Sequence, residues 1–248
     1  MIVLDKIYNE DCLIGMQKIP DNFIDCIICD LPYGTTRNAW DEIIPLDKLW
    51  EQYKRISKPT TPIILFSQQP FTSKLIMSNL KMFRYEWIWQ KDNSTGFLNA
   101  KRMPLKIHEN ILVFYEKLPT YNPQMRQGFK PYMRYRKNHL SGNYGKYNGW
   151  NSGSKDGSRY PIDVIRFDKD RGDILFHPTQ KPVKLIEYLI QTYSNENDTI
   201  LDNCIGSGTT AIAAINTNRR YIGFEKDEKY YNIAIKRIKE EQQQLKLF

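Results

Sequence analysis

Two hydrophobic periods alternate along the first third of the chain. Lys6 to Asn9 reads as a short strand ending at Glu10 and Asp11, and Cys12 to Ile19 as a short helix stopped near Pro20. Ile24 to Cys29 is an apolar run of strand length, followed by a loop marked by Pro32 and Gly34. Leu46, Leu49, Trp50, Tyr53 and Ile56 recur at helical spacing and predict a helix over 46–57. Pro62 to Phe66 predicts a strand, Phe71 to Asn79 a helix, and Tyr85 to Trp89 and Asn110 to Tyr115 two further strands. From about Leu118 to Gly172 the period dissolves into Pro, Gly, Asn, Ser, Tyr and basic residues. Regular order returns at His177. There the pattern predicts a helix Val183 to Tyr193 with Pro182 suited to its first turn, a strand Thr199 to Leu201, and a helix Thr209 to Asn216. A strand Tyr221 to Phe224 ends at Glu225, and Asp227 can cap a last helix whose Tyr230, Ala234, Ile235 and Ile238 share one face.

Alternating strands and helices predict an α/β fold, a doubly wound and mostly parallel sheet with helices on both faces. In such sheets ligands bind beyond the carboxyl ends of the strands, where strand order reverses. The whole chain, 1–248, reads as one domain carrying an insertion at 117–173.

Composition sharpens this picture in two places. Hydrophobic residues make up 41% of 248, enough for a packed core and against global disorder. The net charge of +8 is local, since Lys117 to Arg171 holds twelve Lys and Arg against four Asp, a surplus equal to that of the whole chain. Such a surplus attracts a polyanion, most naturally nucleic acid, although a solvated basic loop has the same composition. Aromatic residues interleave there, among them Tyr132, Tyr135, Tyr147, Trp150 and Tyr160. No apolar run spans a bilayer, and the first residues, Met1 to Lys6, have no long apolar signal core, so a cytoplasmic protein with no membrane partner is expected. The four cysteines, Cys12, Cys26, Cys29 and Cys204, are then reduced. Cys26 and Cys29 have a metal-like spacing, but no second pair follows, so core packing and no metal are expected.

Two strand ends carry candidate chemistry. Asp30-Leu31-Pro32-Tyr33 places a carboxylate, a backbone carbonyl and an aromatic ring together, which can accept hydrogen bonds from an exocyclic amino group while a planar ring stacks on Tyr33. An Asp-x-Pro stretch after a strand is also an ordinary turn. Asp202 to Thr210, containing Gly206-Ser207-Gly208, joins a strand to a helix, where glycines let a ligand approach the backbone. It is not a P-loop, because Thr209 and Thr210 follow in place of Lys-Ser or Lys-Thr. Glu225 lies at the end of the next strand, at a distance suited to a carboxylate on ribose hydroxyls.

Taken together, and with Asn9 to Cys12, His108 to Phe114, His177 to Pro182 and Ile222 to Glu225, these blocks resemble the beta group of DNA aminomethyltransferases. In that group the catalytic half precedes the cofactor half, a circular permutation of the class I methyltransferase fold. The resemblance covers most of the chain outside the basic insertion. It implies S-adenosylmethionine as cofactor and DNA as partner, with a homodimer compatible. Asp30 and the Leu31 carbonyl, with Pro32 shaping the loop, would accept the target amino group, and Tyr33 would stack on the flipped base. Asp11, with Cys12 beside it, would contact the cofactor's adenine and Glu225 its ribose. Asp202, Cys204, Gly206, Ser207 and Gly208 would meet its methionine portion, and Thr179 and Lys181 its carboxylate. The insertion would be the target-recognition region, with Arg134, Arg136, Lys137, Lys146 and Arg159 on phosphates. His108 is expected before a strand, as a structural or cleft-wall residue, and His139 on the surface. A leading Asp resembles the adenine-N6 enzymes more than the cytosine-N4 ones. Other acceptors, or a non-catalytic DNA-binding protein on the same scaffold, remain alternatives. The family pattern has Pro at the position of Leu31 and often Pro-Phe at Asn203-Cys204, so loop rigidity and an aromatic contact to the cofactor differ here.

Overall fold

The computed structural model describes residues 2–34, 42–136, 139–141, 145–147, 150–169 and 180–245. In chain order the elements begin β1 (Lys6–Tyr8), α1 (Cys12–Met16), β2 (Cys26–Asp30), α2 (Leu46–Ile56), β3 (Ile63–Ser67) and α3 (Phe71–Ser78). They continue with β4 (Phe83–Thr95), β5 (Lys106–Phe114), β6 (Tyr132–Arg136), β7 (His139–Ser141), β8 (Gly145–Tyr147), β9 (Trp150–Ser154) and β10 (Val164–Arg166). The last are α4 (Val183–Tyr193), β11 (Thr199–Asp202), α5 (Thr209–Asn216), β12 (Arg220–Phe224) and α6 (Glu228–Leu245).

Among the described residues one sheet runs in the order β1-β12-β11-β2-β3-β5-β4-β10. The pairs from β1 through β3 are parallel, as is β4 with β10, while β5 runs antiparallel to both β3 and β4. The central strands are apolar runs because both of their faces are covered. Cys26, Ile28, Ile64 and Phe66 point to the layer of α4, α5 and α6, where Leu185, Leu189, Ala213 and Ala234 pack. Ile27, Cys29, Ile63 and Leu65 point to the layer of α1, α2 and α3, with Met16, Leu49, Tyr53 and Leu75. The expected doubly wound sheet is therefore present, and Cys26 and Cys29 are fully buried in its two layers. The C-terminal strands β11 and β12 sit between β1 and β2. That places the switch point, where strand order reverses, between β2 and β11.

Three local expectations are corrected. The first helix stops at Met16, three residues before Ile19. Strands β4 and β5 run longer than 85–89 and 110–115, because they continue as an antiparallel hairpin beyond the packed sheet. His108 lies inside β5 on an exposed position, not ahead of the strand.

Residues Pro123–Ile162 form a second compact unit. It holds two short antiparallel pairs, β6 with β9 and β7 with β8. The sequence shows no strand period there, because Met133, Arg134 and Tyr135 are all exposed and no face of β6 has to be apolar. The Arg159 guanidinium lies 4.2 Å from the Tyr132 ring centroid and donates to the carbonyls of Lys130, Gly157 and Ser158. Arg159 is thus engaged by its own unit, a use that competes with the expected phosphate contact. Arg134 stacks more loosely, 5.8 Å from the same ring. Lys137 lies outside the described residues, as do the side chains of Arg136, His139 and Lys146.

Candidate active site

β2 and β11 are parallel neighbours, with Ile200 opposite Cys26 and Leu201 opposite Ile27. Asp30 and Asp202 therefore leave the sheet at the same edge. Both line a cavity of about 810 Å³, together with Asp11, Tyr33, Glu109, Lys181, Gly206 and Glu225. This is the size range of a nucleoside-scale ligand site.

The β11 side is a loop held open by its own acids. Asp202 accepts from the Cys204 N–H at 3.0 Å and the Thr210 hydroxyl at 2.6 Å. Burial pushes its carboxyl up to about 6, against those two donors. Glu225, at the end of β12, accepts from the Gly206 N–H at 2.9 Å and the Asp227 N–H at 2.8 Å, and burial raises it too. Gly206 and Gly208 have φ of 54° and 86°, in the left-handed region that favours glycine. A Cβ on Gly206 would meet nothing within 4 Å, so the backbone is open to a ligand there. The Ser207 carbonyl accepts from Arg237 at 2.7 Å, and its hydroxyl donates to Gln180 at 3.2 Å. Asp11 caps α1 by accepting from the Leu13 N–H at 2.8 Å. The Asn203 amide donates to the sulfurs of Cys12 and Cys204, and Tyr53 donates to its oxygen at 2.5 Å. The Cys204 contact and burial together raise the Cys12 thiol, so it stays protonated.

The β2 side is built on charge. Tyr33 donates to Asp30 Oδ1 at 2.6 Å while its ring stacks on Phe71, with centroids 5.4 Å apart. Lys181 donates to Asp30 Oδ2 and lies 3.4 Å from Glu109 Oε2. Lys91, on β4, pairs with the other oxygen of Glu109, on β5. Burial raises the Asp30 carboxyl, and Lys181 only partly opposes it. Burial works against both Glu109 and Lys181 as ions. The two ammonium groups outweigh it at Glu109 and bring it to about 2, while the two carboxylates outweigh it at Lys181 and hold its amine above the ordinary range.

The structure thus brings the Asp30 loop and the Gly206 loop to one cavity, as expected from their strand ends. Lys181 lines the same cavity. Its ammonium meets two carboxylates on the β2 side, because a buried cation needs anionic partners within reach. His177 and Thr179 lie outside the described residues. Sequence reasoning missed Lys91 altogether and took Glu109 only as part of a block. An acid at the head of the apolar run Asn110 to Phe114 was the available signal for Glu109, whereas Lys91 had none. Among the described residues no cluster of His, Cys, Asp or Glu could hold a metal ion, and no helix is long and apolar enough to cross a membrane.

Asp202 gives a stability prediction. An acid raised to about 6 in the folded state favours the protonated fold, so its contribution is present at low pH and lost as pH rises through about 6. At about 1.4 kcal/mol for each tenfold, that is roughly 3 kcal/mol at most. Asp202→Asn should remove this loss, narrowing the difference between thermal melts at acid and neutral pH. An unchanged difference would show that Asp202 is already ionised when folded.

Solved structures with this arrangement are methyltransferases. An M1.HpyAVI–SAM complex covers 94% of this chain and 98% of its own at 23% identity and a TM-score of 0.65. The cytosine-N4-specific PvuII DNA methyltransferase covers 96% and 91% at 12% identity and a TM-score of 0.66. The fold is that of the class I methyltransferases. Residues 24–236 match the N6/N4 methyltransferase family model, described as DNA methylase, and the chain belongs to that family. Among its relatives, the type II methyltransferase M.BglII of Bacillus subtilis is 30% identical over 93% of this chain and 68% of that protein. The DNA adenine methyltransferase YhdJ of Escherichia coli K12 is 26% identical over 94% and 82%.

Proposed function

We propose that the protein methylates the N6 amino group of adenine in DNA, using S-adenosylmethionine and a base flipped out of the duplex. The observation that carries this reading is the shared cavity, with the Asp30 to Tyr33 loop on one side and the Gly206 loop with Glu225 on the other. The residues fit the cofactor. The bare Gly206 backbone, buried Asp202, half-buried Glu225, and Asp11 at the cavity wall offer the acceptors and close approach that a sulfonium amino acid joined to a nucleoside needs. When bound, that group supplies an electrophilic methyl carbon whose bonding pair stays on sulfur as it leaves.

The chain's own residues do the rest. Asp30 and the Leu31 carbonyl accept the two amino hydrogens and aim the nitrogen lone pair, mainly a positioning effect. Tyr33 offers a ring face to the base, and Phe71 fixes the plane of that ring. As the new bond forms, the nitrogen sheds a proton, which the Asp30 carboxylate takes. Its raised affinity for protons suits it to hold one. The base must leave the stack because its amino group is otherwise paired. The basic unit Pro123–Ile162 supplies phosphate contacts in this reading, through side chains such as Arg134.

The test is nucleoside mass spectrometry of DNA incubated with enzyme and S-adenosylmethionine. N6-methyladenine is the expected product. Exclusive N4-methylcytosine would reject the acceptor and keep the family.

A further inference from the structure

We infer that Lys91 and Glu109 are positioning residues for methyl transfer: they hold Lys181 in a seat shared by two carboxylates, so that it can yield an Asp30 oxygen to the target amino group. This rests on the reading that Asp30 receives that group. Both Asp30 oxygens are engaged, Oδ1 by the Tyr33 hydroxyl and Oδ2 by Lys181. An arriving amino donor has to compete with one of them. Lys181 has somewhere to go, since Glu109 Oε2 lies 3.4 Å away at ion-pair distance, short of a well-formed hydrogen bond. Glu109 can wait in that state because Lys91 neutralises its other oxygen.

The placement comes from the β4–β5 hairpin. Glu109 faces Trp89 across the β4–β5 ladder, and Lys91 lies two residues beyond Trp89, on the same side of the strand. Lys91, Glu109 and Lys181 are 5%, 6% and 7% exposed, so none of the three charges is screened by bulk water. A buried ion pair contributes little net stability against an apolar replacement, so four balanced charges beside the Asp30 loop call for another use.

The duller alternative is a strap that only ties β4, β5 and the segment ahead of α4 together. Acidity separates the two. The groups around Asp30 are Lys181, Tyr33, Glu109, Asp202 and Cys29, with Lys91, Lys169 and Asp92 in the next ring. Lys91→Met leaves Lys181 as the main cation on Glu109 and draws it from Asp30. The acid limb of kcat should then move up by about one pH unit, roughly tenfold in rate on that limb. Glu109→Gln removes a negative charge near Asp30, so the limb should move down. Lys181 then has only Asp30, and KM for DNA should rise roughly tenfold as the amino group competes with it.

The experiment measures kcat and KM against pH for wild type, Lys91→Met, Glu109→Gln and Lys91→Arg, with S-adenosylmethionine affinity by calorimetry. Opposite limb shifts, unchanged cofactor affinity and recovery in Lys91→Arg are expected. Shifts of the same sign, or equal losses at every pH, would overturn the relay and leave a strap. If Lys91→Met does not fold, the double variant Lys91→Met/Glu109→Gln removes both charges and should show the downward limb; an upward one overturns the relay. Carbon NMR of the Asp30 carboxyl reads the same shifts without turnover. A wild type that methylates no DNA would therefore sink the proposed activity, while the relay stands or falls on that titration.

Discussion

Asp30→Ala is expected to lower methyl transfer by roughly 10³-fold while S-adenosylmethionine binds within about twofold of wild type. The substitution removes the acceptor for the amino hydrogens and the group that takes the departing proton. It leaves the opposite wall intact, where Asp202 accepts from the Cys204 N–H and Glu225 from the Gly206 N–H. It also leaves Lys181 with Glu109, so the lost anion does not strand a buried cation. Single-turnover rates and calorimetry on the same preparation check both halves. A loss of cofactor affinity matching the loss of rate would show that Asp30 serves the cofactor side as well.

Gly208→Val should do the reverse, acting first on the fold and the cofactor. Gly208 has φ of 86°, and an added Cβ would sit 3.0 Å from the Ala234 Cβ and 3.2 Å from its Cα. A β-branched residue is strained in that backbone region, at about 1–3 kcal/mol. The contact with α6 adds overpacking of about 1–3 kcal/mol. A destabilisation of roughly 3 kcal/mol is expected, read from denaturant midpoints at constant slope. The loop must also shift, and Gly206, two residues away, moves with it, so cofactor affinity should fall more than tenfold. Normal cofactor affinity in a folded Gly208→Val protein would remove this loop from the binding site.

The contrast between these two variants restates a division visible in the chain itself. The stretches Cys26 to Cys29 and Ile200 to Leu201 are apolar, and each runs into an Asp that opens a loop. Local chemistry of that kind makes strands, strand ends and their candidate roles legible. Their adjacency is not local. It depends on β11 inserting beside β2, a pairing across more than 170 residues that hydrophobic period cannot express. The short strands of the second unit escaped notice for another reason. With no buried face on β6, the sequence was free of the alternation that would have announced them.

Lys181 shows most clearly where sequence stops. Its position just before Pro182 marks a loop entering α4, and resemblance assigns it to the cofactor. Which charges it meets depends on β4 and β5 turning antiparallel and carrying Lys91 and Glu109 to the same edge as Asp30. The sequence by itself determined the α/β class, the buried strands, the two acid-ended loops and the local basic surplus, because each follows from residue type and spacing. Only the tertiary structure decided which ions share the dry interior beside Asp30. Burial costs are met by whichever opposite charge the fold brings within a few ångströms, however far apart in the chain the partners lie.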